Sequence, residues 1–321
     1  MNPLNIVFLD ALHYPPNYQI KKPNFPHTWT AYPVTKADQV FERSKDADIL
    51  IASKVILDRA MLKRLADNGK LRLVQIPATG TNNVDLEAAK EFGITVQNVE
   101  GYSSNSVAEH VIAFIFAMAR SFHGWSRDQL SANWTQQEIF TYYDYPIYDV
   151  AGKTLTIVGR GNIGNLVAEK AQALGMRVLF AERHDADELR QGYTEFRQAI
   201  GQADFITLHC PLTPSTTELV NDQFLRLMKR TAFLINTGRG GLINEKDLAN
   251  ALKDRRIGGA ALDVLSLEPP TMDNPLVQAG LDAYNLFITP HNAFAGQQSL
   301  RTLADLMIDR IDTFVAQNYK F

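Results

Sequence analysis

The chain has 321 residues, 45% of them hydrophobic and 21% charged, so it can bury cores for two domains. Its formal net charge is −3 and its basic residues are scattered, which argues against a nucleic-acid-binding surface. Its single cysteine excludes an internal disulfide. The most apolar run, residues 107–119, is shorter than the roughly twenty residues that a bilayer requires. The first residues also lack a basic leader. We therefore expect a cytoplasmic protein without membrane or nucleic-acid partners.

The first hundred residues alternate short apolar runs with helical patterns. This alternation is typical of a parallel sheet in an α/β domain. We expect these elements to form a small domain of their own. The predicted strands cover residues 6–9, 29–32, 48–52, 71–76 and 94–97, and the predicted helices cover residues 37–43, 58–65 and 86–92.

A helix is predicted over residues 107–120. It is apolar on nearly all sides, which indicates a buried helix in the core or in a subunit interface. Residues 125–148 are rich in aromatic side chains and have no helical period, so we predict an irregular segment. A monomer would have difficulty burying these side chains, which favours a homodimer; the alternative is an arm folded on its own domain. The bulky residues are Trp134, Ile139, Phe140, Tyr142, Tyr143 and Tyr145.

The strongest motif lies between residues 155 and 182. A short buried strand runs directly into Gly159-Arg160-Gly161-Asn162-Ile163-Gly164, and a helical pattern follows. This context is that of the dinucleotide-binding fingerprint. Gly159 permits the tight turn, Gly161 lets the backbone approach a pyrophosphate, and Gly164 lets the helix pack on the strand. The helix N-terminus then offers N–H groups to the phosphates. The alternative is an α/β turn that merely contains glycines.

A second predicted strand, residues 177–182, ends at Glu182. A carboxylate at this position can accept hydrogen bonds from ribose hydroxyls and would repel a 2′-phosphate, so it favours NAD over NADP. Arg183 follows immediately. It could stack on adenine, bind a phosphate or be solvated.

Four more predicted strands complete the six of a doubly wound nucleotide-binding domain. The final helix has apolar residues at steps of three and four but has no place in that finished sheet. We predict that it packs on the first domain, which makes that domain discontinuous. The four strands are residues 204–209, 232–236, 259–264 and 286–289, and the predicted domains are 1–100 with 294–321, and 101–293.

Ligands of doubly wound sheets bind beyond the carboxyl ends of the strands. In this sequence those ends carry an arginine, acids and a histidine. We therefore expect a cofactor and a reacting group to meet at one edge. Beyond Gly159 and Glu182, the strand ends are His209-Cys210-Pro211, Asn236-Thr237-Gly238-Arg239-Gly240, Asp263 to Glu268, and Pro290-His291-Asn292.

Three of these residues are candidates for catalysis. Arg239 can bind a carboxylate through two parallel hydrogen bonds; the alternative is an ordinary salt bridge. His291 can donate and recover a proton; the alternative is a histidine that caps a loop. Glu268 precedes two prolines, and beside an imidazole it would orient the ring and favour its protonated form; the alternative is a solvated acid. The other histidines do not combine with cysteine at zinc-ligand spacing, so we predict no metal.

Together these motifs resemble the signatures of the D-isomer-specific 2-hydroxyacid dehydrogenases. The resemblance runs from about residue 48 to the C-terminus, and residues 78–85, 181–183 and 263–276 look most like the glycerate dehydrogenase (hydroxypyruvate reductase) branch. Two positions depart from the family pattern: Asn244 stands where an acid is common, and Phe294 where a tryptophan is expected. The motifs are Gly159–Gly164, His209–Pro214, Ile235–Gly241, Asp263–Pro270 and Thr289–Ala293.

The resemblance implies a flavodoxin-like substrate domain and a Rossmann NAD domain, both α/β and doubly wound, with a cleft between them. It implies a dimer built around residues 107–150. It implies Arg239 as the substrate and carbonyl binder, His291 as acid/base and Glu268 as its partner, with the backbone of Ala78, Thr79 and Gly80 on the substrate carboxylate. It implies a nicotinamide contact from Asp263. The other implied or candidate cofactor contacts are Arg160, Asn162, Ile163, Cys210, Pro211, Thr237 and Gly238.

We therefore expect an NAD-dependent oxidoreductase that moves a hydride between nicotinamide and a small 2-keto or 2-hydroxy acid. Hydroxypyruvate/D-glycerate is the favoured pair, with glyoxylate/glycolate next. One alternative is an enzyme of the same plan with another acid as substrate. The other is a non-catalytic NAD-sensing partner protein that kept the fold.

Overall fold

A computed structural model describes residues 3–15, 18–130, 132–282 and 285–319. The chain divides into two compact units, Met1–Ser103 with Gly296–Phe321, and Ser104–Ala295. The first unit is therefore built from two separate parts of the sequence. Within the described ranges, no helix combines the length and the apolar character needed to cross a bilayer.

The strands lie close to their predicted positions. They are β1 (Leu4–Phe8), β2 (His27–Ala31), β3 (Ile49–Ile51), β4 (Leu73–Gln75), β5 (Thr95–Gln97), β6 (Thr154–Val158), β7 (Arg177–Ala181), β8 (Phe205–Leu208), β9 (Phe233–Asn236), β10 (Gly259–Leu262) and β11 (Leu286–Ile288).

The helices include several that the sequence did not predict, such as those over residues 122–130 and 275–282. They are α1 (Val40–Ser44), α2 (Arg59–Asp67), α3 (Leu86–Glu91), α4 (Ser104–Ala119), α5 (Phe122–Leu130), α6 (Asn162–Ala173), α7 (Phe196–Gln202), α8 (Asp222–Leu227), α9 (Glu245–Lys253), α10 (Pro275–Asp282) and α11 (Gln297–Asn318).

The first unit is organised on a parallel sheet of order β2-β1-β3-β4-β5, the flavodoxin-like order. Its central strand β3 is fully buried, which is what a parallel sheet covered on both faces requires. Two helices begin at aspartates whose side chains accept a backbone N–H: Asp58 for α2 and Asp85 for α3. The predicted α/β class of this unit is confirmed.

The last helix, α11, belongs to the first unit. Its residues Leu303, Met307 and Ile311 are fully buried, at the helical spacing read from the sequence. On its polar side, Asn24 donates from both its backbone and its side-chain nitrogen to Asp312.

The second unit contains, in its described residues, a six-stranded parallel sheet of order β7-β6-β8-β9-β10-β11. Strand β6 has β7 on one side and β8 on the other, so successive connections depart in opposite directions from it. This is the topological switch point at which doubly wound sheets bind ligands. Helix α4 packs beside α6 on one face of this sheet.

The aromatic segment is more ordered than predicted. Residues 122–130 form helix α5, so the prediction of an irregular chain was wrong over residues 125–130. Trp125 and Asp128 lie on one side of this helix; the Trp125 ring packs edge-on against Tyr142 and Tyr145, whose hydroxyls donate to Asp128. These long-range contacts stabilise α5, which is a short helix of nine residues.

Candidate active site

The glycine turn after β6 is shaped by packing against β8. Gly159 has φ +105°, and a Cβ there would collide with the backbone of His209 and Cys210. A Cβ at Gly164 would overlap the carbonyl oxygen of Gly159, so α6 starts directly on the turn. Both roles read from the sequence, the tight turn and the close helix packing, correspond to these contacts.

Two features at this edge fit a bound dinucleotide. A Cβ on Gly161 would meet no atom within 4 Å, so this glycine leaves open space in front of the N-terminus of α6 instead of relieving a protein contact. The hydroxyl oxygen of Thr237 is buried and has no hydrogen-bond partner among the described residues. An open space at a helix N-terminus and a free buried hydroxyl suit the phosphates and hydroxyls of NAD.

The residues at the end of β8 have structural roles, and their side chains are not suited to catalysis. The backbone nitrogen of His209 donates to Val158, which joins the ends of β6 and β8. Burial lowers the pKa of His209 to about 4, so the ring is neutral at pH 7, and its Nε2 lies 3.0 Å from the hydroxyl of Thr207. Burial also raises the pKa of the Cys210 thiol, which argues against a thiolate nucleophile. Pro211 follows in the same loop.

The carboxylate of Glu182 is bound by another protein side chain, whereas the sequence predicted that it accepts hydrogen bonds from ribose hydroxyls. It is almost fully buried and is bound by Arg190, a residue that the sequence did not single out. Arg183, next in the chain, is exposed and donates only its backbone N–H to Glu182. The acid at the end of β7 is therefore paired within its own loop.

His291 and Glu268 are in direct contact. They lie in the loops after β11 and β10, and Nδ1 of His291 is 2.6 Å from Oε2 of Glu268. The other carboxylate oxygen accepts the backbone N–H of Leu265 at 3.0 Å. A carboxylate on Nδ1 fixes the ring and leaves Nε2 for a substrate. Both side chains are about one-third exposed, 29% for His291 and 32% for Glu268, so the pair is accessible.

The loop that carries His291 is held by Asp263. The Asp263 carboxylate is buried and accepts hydrogen bonds from the Thr289 hydroxyl and from the backbone nitrogens of Asn292 and Ala293. The carbonyl of Asp263 accepts the N–H of His291 itself. His291 has φ +49°, an uncommon conformation for a side-chain-bearing residue, which persists when surrounding contacts fix it. Asp263 thus holds the histidine loop, a role that the sequence did not predict.

His110 of α4 lies against the same loop. Its Nε2 is 3.3 Å from the Thr289 hydroxyl and 3.9 Å from Asp263. Burial lowers its pKa, so the ring is neutral at pH 7. His110 and Thr289 are 179 positions apart, and no local pattern in the sequence could indicate this contact.

Arg239 follows β9 in a loop fixed by the buried side chain of Asn236. The Asn236 amide donates to the carbonyl of Arg239 and accepts the N–H of Gly238. Gly240 packs so closely on the backbone of Leu265 that a Cβ would overlap it. Leu265 also donates to Glu268, so the loop of Arg239 is in contact with the loop that carries Glu268. Arg239 itself is half-buried, and one guanidinium nitrogen donates to the carbonyl of Gly238.

The predicted substrate loop, Ala78-Thr79-Gly80, lies in the first unit, just after β4. Asn98 donates to the carbonyl of Thr79, and the N–H of Val99 donates to that of Ala78. In the described part of the chain, the backbone N–H groups of Thr79 and Gly80 have no acceptor. Two free N–H groups in succession can receive an anion.

No three His, Cys, Asp or Glu side chains in the described ranges are grouped as a metal site. The residues that the sequence missed are Arg190, Asn236, Asn98 and His110, and all except Asn236 act through contacts with groups at least eight positions away. Only Asn236, within the predicted motif after β9, stood in a segment already singled out.

Comparison with known proteins identifies the family. Residues 112–293 match the family described as D-isomer specific 2-hydroxyacid dehydrogenase, NAD binding domain. A protein of Haemophilus influenzae, named at the family level as a 2-hydroxyacid dehydrogenase, is 52% identical over 314 residues, which are 98% of this chain and 99% of that protein. The chain belongs to the D-isomer-specific 2-hydroxyacid dehydrogenase family.

Two further proteins are similar to this dehydrogenase. A glycerate dehydrogenase of Methylorubrum extorquens is 41% identical over 312 residues, covering 97% of this chain and 96% of that enzyme. A solved acyclic imino acid reductase in complex with NADPH and D-Arg has a TM-score of 0.77 and 25% identity, covering 98% of both chains. The dehydrogenase is an NAD-dependent oxidoreductase of small 2-hydroxy or 2-keto acids, as the sequence predicted.

Proposed function

We propose that this dehydrogenase reduces hydroxypyruvate to D-glycerate with NADH, catalyses the reverse oxidation, and takes glyoxylate as a second substrate. The observation that supports this most is the 2.6 Å hydrogen bond between His291 and Glu268, because the loop of Glu268 packs against the loop of Arg239. The 41% identity to a named glycerate dehydrogenase favours this substrate pair over others.

The reaction needs a proton donor, a carbonyl activator and a hydride. The reduced nicotinamide, when bound, supplies the hydride. Arg239 pairs with the substrate carboxylate and polarises the adjacent carbonyl, because a guanidinium keeps its charge and presents several N–H donors. His291 donates the proton from Nε2 to the developing alkoxide, while Glu268 on Nδ1 holds the ring in place. In the oxidation of a 2-hydroxy acid, His291 accepts the proton.

We propose that the backbone of Ala78, Thr79 and Gly80 also binds the substrate carboxylate. The free N–H groups of Thr79 and Gly80 support this assignment, because they can donate to a carboxylate without reorganisation. On this basis residues 1–100 with 294–321 form the substrate domain, and residues 101–293 form the NAD domain.

The proposed cofactor contacts follow the carboxyl ends of the strands. The glycine turn and the N-terminus of α6 bind the pyrophosphate. The Thr237 hydroxyl forms a hydrogen bond with the cofactor, as donor or as acceptor. We propose that Asp263 contacts the nicotinamide in addition to holding the His291 loop. The full proposed set is Gly159, Arg160, Gly161, Asn162, Ile163, Gly164, Glu182, Arg183, Cys210, Pro211, Thr237, Gly238 and Asp263. Glu182 belongs to this set through the loop that its carboxylate holds in place.

The test is a substrate panel. Purified protein is mixed with NADH and each substrate, and the loss of NADH absorbance is measured. The panel holds hydroxypyruvate, glyoxylate, pyruvate and a bulky branched 2-keto acid. We expect the highest kcat/KM for hydroxypyruvate. A preference for the branched acid would refute the substrate assignment. Bound NADH without turnover of any member would favour the alternative of a non-catalytic NAD-sensing protein.

The role of Arg239 has its own test. Arg239→Lys keeps the charge but loses the planar fork, so we expect kcat/KM to fall by at least about thirtyfold, corresponding to about 2 kcal/mol. Arg226→Lys is the control, because Arg226 is an exposed arginine that also pairs with a carboxylate, that of Asp222. Equal turnover by the Arg239→Lys variant and its control would remove Arg239 from the mechanism.

We also propose that the enzyme is a homodimer. Several bulky apolar side chains between residues 122 and 147 remain exposed, including Phe140 at 87% and Tyr143 at 77%. A cluster of this kind on a monomer is costly in water and is typical of an interface. The exposed members are Phe122, Leu130, Trp134, Ile139, Phe140, Tyr143 and Ile147.

A further inference from the structure

The carboxylate of Glu182 is enclosed by the loop that follows it. Its Oε1 accepts the backbone N–H of Arg183 and two guanidinium nitrogens of Arg190. Its Oε2 accepts the backbone N–H and Nε of Arg190. Only 4% of Glu182 is exposed. An ionised carboxylate offers about four lone-pair directions, so these contacts leave no acceptor for a ribose hydroxyl.

The pairing also removes the negative charge that would repel a phosphate. Hydrogen bonds from Arg190 lower the pKa of Glu182 to about 2, so the acid is ionised at neutral pH and neutralised by a guanidinium in contact with it. The reason for expecting NAD to be favoured over NADP, a free carboxylate at the end of β7, does not apply to this arrangement.

The arginine side chains around this position are held in place by aromatic rings. The guanidinium carbon of Arg190 lies 4.1 Å from the ring centroid of Tyr193. That of Arg160, in the glycine turn, lies 4.5 Å from Phe180 and 5.6 Å from the same Tyr193. Such cation–π contacts fix the direction of a guanidinium before a ligand arrives.

Arg190 keeps donors for a further ligand. A guanidinium has five N–H groups, and only Nε and Nη2 contact Glu182. The side chain is 50% exposed, so the remaining N–H groups are accessible. Arg183 adds a second exposed guanidinium at the end of β7. The acids of the same loop, Asp185, Asp187 and Glu188, are exposed and their repulsion is screened by water and salt.

We propose that the end of β7 is a 2′-phosphate subsite, formed by Arg183 and Arg190 with Arg160 beside it, and that the enzyme therefore takes NADP(H) as well as NAD(H). Arg190 is the residue that decides this specificity, because it both occupies Glu182 and presents its outer N–H groups to the phosphate. This inference deepens the cofactor part of the proposed function and is independent of which acid is the substrate.

The experiment measures cofactor binding without substrate. NADH and NADPH are titrated into the full-length protein and followed by nucleotide fluorescence, for the wild type, Arg190→Gln, Glu182→Gln and Arg226→Gln. We expect the wild type to bind NADPH within about tenfold of NADH. We expect Arg190→Gln to shift the ratio of the two Kd values at least about tenfold toward NADH, since a charge-assisted contact to phosphate is lost. Glu182→Gln, which frees Arg190, shifts the ratio toward NADPH.

Arg226→Gln is the matched control, because it removes an exposed arginine that pairs with a carboxylate elsewhere in the same unit. It leaves the ratio unchanged. A wild-type Kd for NADPH more than about a hundredfold above that for NADH would overturn the proposal, as would an equal loss of both cofactors in Arg190→Gln. Because no substrate is present, a failure here is distinct from a failure to turn over hydroxypyruvate.

Discussion

Replacing Glu268 with glutamine tests the acid–histidine pair most directly. In the native protein the two carboxylate oxygens have separate tasks: Oε1 accepts the N–H of Leu265 and Oε2 meets Nδ1 of His291 at 2.6 Å. Glutamine has the same size but only one acceptor oxygen. One of the two N–H groups must then face an amide NH₂, and the ring of His291 loses its charged partner.

The expected magnitude follows from this geometry. A hydrogen bond to a charged group contributes about 1.5–3 kcal/mol to stability. Water can replace part of it here, because His291 is 29% and Glu268 is 32% exposed. We therefore take the lower half of that range, which corresponds to a fall in kcat of about ten- to fortyfold. The KM for NADH should stay close to the wild-type value, since the contacts of Glu268 with His291 and Leu265 act on the proton donor.

The assay is steady-state NADH oxidation with hydroxypyruvate, together with the thermal midpoint of each protein. Glu195→Gln is the control, because Glu195 also accepts two backbone N–H groups, at the start of α7. This control should lower the midpoint and leave kcat unchanged. If Glu268→Gln behaves like the control, with lower stability and full turnover, Glu268 is a structural acid and our mechanism is wrong.

Three other predictions test parts of the molecule outside this pair. Asp263→Asn places an NH₂ against one of the donors of the His291 loop, so kcat should fall at least about tenfold and the thermal midpoint should drop; a normal kcat would contradict the positioning role. Phe140→Asp places a charge in the proposed interface, so light scattering should show a smaller particle than the wild type; unchanged mass at micromolar concentration would contradict the dimer surface. The pKa of Glu182, lowered to about 2 by Arg190, makes the stability from this pair fully present above the unfolded pKa of about 4.3 and lost as pH falls toward 2. The gap in thermal midpoint between the wild type and Arg190→Gln should therefore shrink between pH 4.5 and 2, and a gap independent of pH would refute the pairing.

Much of this protein follows from local sequence. Strand β3 and its neighbours are short apolar runs, and any chain that places them between helices must cover both faces of a parallel sheet. The glycine turn was also predicted from local sequence, since Gly159 has a positive φ that favours glycine and a Cβ at Gly164 would overlap the carbonyl oxygen of Gly159. Arg239, Glu268 and His291 could be proposed as a site because the carboxyl ends of parallel strands share one edge.

The tertiary structure decided which partner each of those side chains takes. A carboxylate such as Glu182 binds the nearest donor, and that donor is Arg190 because the loop after β7 turns back on itself. The carboxylate of Asp263 holds the histidine loop, and His110 packs behind that loop from a helix 179 positions before its contact at Thr289. Helix α5 forms because Trp125 and Asp128 find partners later in the chain. Patterns in sequence report the period of the backbone and the chemistry of each residue, whereas pairings between distant side chains depend on where the folded backbone places them.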